Sequence, residues 1–354
     1  CAAGSRGLLT MAVERVLEIG HYAAGYCGRL FVHAGHEVLR IEPEGQVPAW
    51  ASEDAMDLFL HAGKRRLGGV DAVTLGKLAD TADVVIIEAA AADTVAASGF
   101  ADWRAAVRVA ITPYGLTGPR RNEPATPHTL LAEGGYTYLM GDPDRPPLSL
   151  PGHYLEFQSG TLAFISANAV RLTESAAPVD ISMLEVVMAM SQFTTMQWHC
   201  TGTLRKRAGN EFWTVCPSNL FRLRDGWLYV NIVPAFWDAF TLFLDRPELL
   251  LDQRFVNNDS RMANRDALNA ICESVIGLMD RDEANRRAAE ARIPAGVVQT
   301  LDEVIRDPHL AARAFWQTVS GPNGAVVRAP GVSWRLDPGP PPAGSVSRPV
   351  RHNG

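Results

Sequence analysis

Short, almost wholly apolar runs alternate with amphipathic stretches through the first half of the chain. RVLEI (Arg15–Ile19), EVLRIE (Glu37–Glu42), DVVII (Asp83–Ile87) and AVRVAIT (Ala106–Thr112) read as strands, with a further short one at Pro178–Ile181. Strands this continuously apolar belong to a parallel sheet covered on both faces. Helices are predicted over Ala23–His33, Thr74–Ala82, Thr129–Met140, Gly160–Leu172 and Leu184–His199. PYGLTGP (Pro113–Pro119) and Gly141-Asp142-Pro143-Asp144 punctuate as a loop and a turn. The strand–helix alternation makes the fold class α/β.

The texture changes after His199. TGTLRKRAGN (Thr201–Asn210) is polar and basic and reads as a linker. A smaller unit follows, with a strand pair across Arg224-Asp225-Gly226 and helices at Ala235–Leu244, Ala263–Leu278 and Asp282–Ala291. Ile293-Pro294-Ala295-Gly296 breaks the helical run, and Leu301–Arg313 reads as a second connecting helix. Trp316–Val319 and Val326–Pro330 are strands returning to the first unit, and the Pro-rich tail from Pro338 is irregular.

Composition narrows the function. The 354 residues are 47% hydrophobic and 20% charged, as in ordinary globular proteins, with a net charge of −6. That balance gives a nucleic-acid role no electrostatic support, though a local cationic pocket suffices for a small phosphate ligand. No apolar run approaches the ~20 residues of a membrane-spanning helix. Residues 1–10 lack the apolar core of a secretory signal, and Met11 is a candidate natural start. Five widely spaced cysteines without a CxxC pair fit a reducing cytoplasm.

Familiar chemical motifs are mostly missing. Gly20-His21-Tyr22-Ala23-Ala24-Gly25 follows a strand and opens a helix, where backbone N–H groups can hold phosphate, but the glycine spacing is not GxGxxG. Gly63-Lys64 lacks the rest of a P-loop, and no Gly-x-Ser-x-Gly elbow occurs. His33 and His36 have no third ligand at a diagnostic interval, so they read as solvated turn histidines and no metal is expected. Glu156, in Pro151-Gly152-His153-Tyr154-Leu155-Glu156, lies between a proline-rich loop and an apolar helix. Position alone reads it as a helix-terminal charge.

Several segments together resemble one family. They are VLEIGHYAAGYCGRLFVHAGHEVLRIE, GKRRL, ADVVIIE, YGLTGP, the Gly134-Gly135 helix, VDISMLEVV, LFRLRDGWLYVNI, DQRFVNNDSRMANRDAL, IPAGVVQTLDEVIRDPHL and LAARAFW. In order and spacing they resemble the class III coenzyme A transferases, a superfamily that includes formyl-CoA and carnitine CoA-transferases and α-methylacyl-CoA racemase. The similarity runs from about Val13 to Trp334. It implies a large Rossmann-like domain with a mostly parallel sheet, a smaller α+β domain joined by two linkers, and an interlocked homodimer. On this chain the large CoA-binding domain would occupy 11–200, a linker 201–219, the small domain 220–299 and a second linker 300–315. The segment 316–354 would return to the large domain.

The resemblance also assigns roles. The family's catalytic carboxylate, usually Asp, stands four residues before a helix-opening glycine; here Glu156 precedes Gly160 by four. His21, Tyr22, Ala23 and Ala24 would line the adenosine diphosphate end of CoA, largely through backbone. Lys64 and Arg65 match a common Asn-Lys-Arg segment and would face phosphates, the alternative being a solvated basic turn. No cofactor is permanently bound: the substrates are an acyl-CoA thioester and a free carboxylic acid. A carboxylate attacks the thioester to give a mixed anhydride, and released CoA attacks the enzyme's acyl carbon to give an enzyme–CoA thioester. An incoming acid reverses the sequence. The chain departs from the family pattern at Pro43, Ala89-Ala90, Leu67-Gly68-Gly69 and Pro127, so CoA contacts are expected to be weaker or built from other residues. Two alternatives stand beside transfer. A racemase needs two acid–base groups flanking one carbon; its histidine would fall at Thr126, with His128 two residues on. The other is a weakly active CoA-binding protein paired with a related chain.

Overall fold

The computed structural model describes residues 14–42, 54–173, 177–321, 324, 326–335 and 350–351. Met11, Pro43 and residues 338–349 of the tail lie outside these residues, while Val350–Arg351, expected to be irregular, form a strand. The chain divides into two compact units. The first takes in Cys1–Thr137, Ser149–Thr203 and Pro308–Gly354, the second Tyr138–Leu148 and Leu204–Asp307.

The first unit opens with β1 (Arg15–Ile19), α1 (Tyr22–His33), β2 (Glu37–Ile41), α2 (Asp54–His61) and β3 (Arg65–Gly68). It continues with α3 (Ala72–Thr81), β4 (Val84–Glu88), α4 (Ala92–Ala97), β5 (Val107–Thr112) and α5 (Pro127–Glu133). Then come α6 (Tyr154–Arg171), β6 (Val179–Ser182), α7 (Met183–Met190) and α8 (Gln192–Thr201). β1 to β6 are parallel, and alternate positions of these strands feed two cores. Val16, Val38, Val84, Ile86, Val109 and Ile111 pack beneath α1, α6 and α7. Leu17, Ile41, Val85, Ile87 and Ala110 pack on the opposite face with Ala79, Val95, Phe100 and Trp103. This burial on both faces is why the strands read as unbroken apolar runs.

In the second unit β7 (Ser218–Arg222) and β8 (Trp227–Asn231) form the expected antiparallel pair. α9 (Trp237–Phe243), α10 (Asn258–Ala263), α11 (Arg265–Ile276) and α12 (Arg281–Ala291) follow, then β9 (Ala295–Val297) and α13 (Leu301–Ile305). β9 adds to β8, so the Ile293–Gly296 break leads straight into a strand. Phe221, Leu228, Val230, Phe240, Phe243 and Leu268 head its core. The segment 138–148, read from the sequence as part of the first domain, belongs here. Arg207 donates to the carbonyls of Tyr138 and Asp142, and Gly209 N–H donates to Gly141. The polar stretch read as a linker is therefore a bonded part of the second unit from Leu204 onward.

Back in the first unit, α14 (Pro308–Ala312) leads to β10 (Trp316–Ser320) and β11 (Val326–Pro330), an antiparallel pair packed on α2 through Val319 and Ala329. β12 (Val350–Arg351) pairs with β3 and completes the sheet order β12-β3-β2-β1-β4-β5-β6. β1 thus lies between β2 and β4, and the strand order reverses there. The crevice at the carboxyl ends of such strands is where open α/β sheets bind ligands.

Candidate active site

The crevice is built at the β1 and β4 ends. β4 closes on Glu88 after four fully buried residues, and β1 runs into Gly20. Gly20 has φ +135°, and a Cβ there would meet Glu88 Cβ at 2.6 Å, so the two strand ends approach this closely only with glycine. Glu88 Oε2 accepts hydrogen bonds from the backbone N–H groups of His21 and Ala24, each at 2.9 Å. These are the orphan donors of α1's first turn, and a strand-end carboxylate caps them. Removal from water pushes the Glu88 carboxyl up to about 7 against the pull of those N–H groups, and the charge of Glu156 pushes it further. The two carboxyls therefore feel one another.

Glu156 is the third residue of α6, whose capping residue is His153. At this spacing a capping serine and an N3 glutamate ordinarily exchange bonds with backbone N–H groups. Here the two side chains meet each other: His153 Nδ1 lies 3.0 Å from Glu156 Oε1. The His153 ring stacks on Tyr22, with centroids 3.7 Å apart and planes 22° apart. Glu156 is 6% exposed, and its Oε2 is buried with no hydrogen-bond partner among the described residues. The carboxylate thus has one oxygen held and the other unpartnered, in the first turn of an 18-residue helix, and it does not cap the backbone there. Gly160, expected to open this helix, lies in its second turn. A Cβ there would press into the carbonyl oxygen of Ala23, so the glycine serves the close approach of α6 to α1.

The other site residues proposed from the sequence divide. Tyr22 joins Glu156 through His153, and His21, half-buried, sits at the Glu88 end. Ala23 and Ala24 are fully buried, and the N–H groups of His21 and Ala24 are bound to Glu88; these are not open phosphate ligands. Lys64 is corrected outright. It is 2% exposed, with Nζ 2.5 Å from Glu18 Oε2 and 2.7 Å from the Gly25 carbonyl. Burial lowers it to about 8, opposed by Glu18, whose other oxygen meets Arg40 at 2.5 Å. An ammonium enclosed this way reaches neither phosphate nor water. Arg65 is exposed, but it starts β3 and lines a surface pocket with Arg15, Glu37 and Leu78, at the amino ends of the strands and away from the crevice. His128 is exposed in the first turn of α5 and bonds Ser149 Oγ at 3.1 Å. His33 is buried rather than solvated, and its ring is pushed down to about 4 by desolvation. Among the described residues no cluster of three or more His, Cys, Asp or Glu stands in metal-binding array.

The sequence profile of CoA-transferase family III matches residues 12–350. The chain belongs to this family. Among family III proteins, succinyl-CoA–D-citramalate CoA-transferase of Chloroflexus aurantiacus is 25% identical, over 92% of this chain and 87% of its own. The succinyl-CoA–L-malate CoA-transferase alpha subunit of the same organism is 26% identical over 96% and 87%. The crystal structure of Rv3272 from Mycobacterium tuberculosis superposes with a TM-score of 0.81 at 24% identity, covering 96% of both chains, which establishes a shared fold. Two residues that contact the candidate site residues were not singled out from the sequence. Glu88 was signalled by an acidic residue ending an apolar strand, and His153 by its three-residue offset from Glu156 at a helix start.

Proposed function

We propose that this family III member transfers CoA from an acyl-CoA to a free carboxylic acid through a glutamyl–CoA thioester on Glu156. The observation that carries this reading is the Glu156 carboxylate itself: buried, held at Oε1 by His153 and bare at Oε2. Burial limits the water that would hydrolyse an anhydride or thioester intermediate, and the start of α6 favours negative charge. The citramalate and malate relatives favour short dicarboxylic acids as substrates, with succinyl-CoA a donor to try first. Racemisation is disfavoured because it requires groups on two sides of one carbon. Here the histidine contacting Glu156 is His153, and His128 bonds Ser149 instead.

The working unit in this reading is a homodimer. Among the described residues no helix is long and apolar enough to cross a membrane. Cys27, Cys200, Cys216 and Cys272 are free thiols, which fits a reducing compartment such as the cytoplasm. The test is intact-mass and peptide mass spectrometry after incubation with a panel of acyl-CoAs. A CoA adduct on the Glu156 peptide is expected in wild type and none in Glu156→Gln, whose amide cannot form the anhydride. CoA exchange retained by Glu156→Gln at the wild-type rate would sink the assignment.

A further inference from the structure

We infer that His153 is the oxyanion donor for the steps that occur at the glutamyl carbon of Glu156. The inference rests on the reading of Glu156 as nucleophile and adds a residue to it. An ionised carboxylate only accepts hydrogen bonds, so at 3.0 Å His153 Nδ1–H is the donor to Oε1. With Oε1 occupied, the bare Oε2 is the attacking oxygen. Its lone pair bonds to the acyl carbon of the thioester, and the C–S bond breaks with its electron pair left on the CoA sulfur. The thiolate then attacks Glu156 Cδ, and the carbonyl pair moves onto Oε1. Collapse re-forms that carbonyl and breaks the Cδ–Oε2 bond, so the donor acid departs carrying Oε2. Oε1 is a shared-charge oxygen in the resting carboxylate, a neutral carbonyl in the anhydride and in the thioester, and a full oxyanion in the tetrahedral state between anhydride and thioester. A donor fixed on Oε1 is therefore most favourable in that tetrahedral state.

The donor is preorganised. Stacking on Tyr22 fixes the plane of the ring, and the His153 carbonyl is itself bound by Phe157 N–H at the start of α6. His153 and Glu156 thus leave the same helical turn with their relative position set by backbone, and no reorganisation is needed as the charge develops.

Two substitutions separate donation from stacking. His153→Phe keeps a flat ring against Tyr22 and has no donor; His153→Asn keeps an N–H near the Nδ1 position and loses the ring. The readout is the rate of CoA-adduct formation on the Glu156 peptide by rapid quench, using the first acyl-CoA that labels wild type, and then discharge of the adduct by a carboxylic acid. His153→Phe is expected to slow both steps about a hundredfold, the usual loss for one oxyanion donor. Acyl-CoA binding by calorimetry should stay within about twofold, and His153→Asn should recover about tenfold of the lost rate. Wild-type adduct rates in His153→Phe overturn the inference, as does equal slowing in both variants, which assigns the effect to the ring. If His153→Phe fails to fold by thermal melting, His153→Leu against His153→Asn carries the same comparison. An adduct that maps away from Glu156, or persists in Glu156→Gln, removes the nucleophile and this inference together, whereas a slow His153→Phe with its adduct on Glu156 supports both.

Discussion

Glu88 shows how a residue can be visible in the sequence while its job is not. An acidic side chain ending DVVIIE marks the crevice end of a buried strand, but nothing local says that its carboxylate caps a helix from the neighbouring connection. Its titration makes this testable. The carboxyl moves from 4.5 to about 7 on folding, chiefly by desolvation. Between those values the native chain holds a proton that the unfolded chain has released, so this group's contribution to stability falls as pH rises through the window and is lowest above about 7. Glu88→Gln keeps the shape and removes the titration. Relative to wild type it should gain on the order of 1–3 kcal/mol between pH 5 and pH 8, measured by urea denaturation at each pH. Parallel pH profiles for the two proteins would mean that Glu88 is not held this way. Position relative to the family motif is what singled out Glu156 as the proposed nucleophile. The sequence does not single out His153, because what marks it is a side-chain contact to Glu156 across one helical turn.

At the scale of elements, the strands of the sheet were legible because burial on both faces leaves only apolar residues to choose from. Elements that failed to announce themselves had mixed composition. β3 is Arg65-Arg66-Leu67-Gly68, and the sequence around it reads as a basic turn; it becomes a strand because Leu39 to Ile41 of β2 supply its pairing. Long predicted helices divide where packing or proline intervenes, as at Ser191 between α7 and α8 and before Pro308 between α13 and α14. Lys64 ties these pieces together. From the α2–β3 turn its ammonium reaches Glu18 of β1 and the Gly25 carbonyl of α1. Removing Lys64 leaves Glu18 Oε2 buried without its cation while Arg40 still holds Oε1. The loss is expected at the low end of the cost of breaking a buried pair, about 3 kcal/mol. Lys64→Ala should therefore lower the urea midpoint by that equivalent while leaving the CoA affinity of the folded protein unchanged. An unaltered midpoint with weakened CoA binding would restore Lys64 to the phosphates.

At the scale of the whole molecule, the exposed apolar residues of α8 bear on assembly. A ten-residue helix is marginal in water unless it packs. None of the residues of α8 is buried, and Met196 and Trp198 stand 58% and 55% exposed. Large apolar side chains exposed along one helix mark an association surface. A second copy of the chain is the proposed occupant, and the alpha-subunit name of one relative makes a different, related chain the competing one. Light scattering on purified protein at micromolar concentration should give twice the chain mass, and Trp198→Glu should shift it toward the monomer with far-ultraviolet circular dichroism otherwise retained. A wild-type monomer that is inactive alone and gains CoA exchange on addition of a related chain would replace the homodimer with a heteromer. A monomer fully active by itself would leave the exposed face of α8 without a role in assembly.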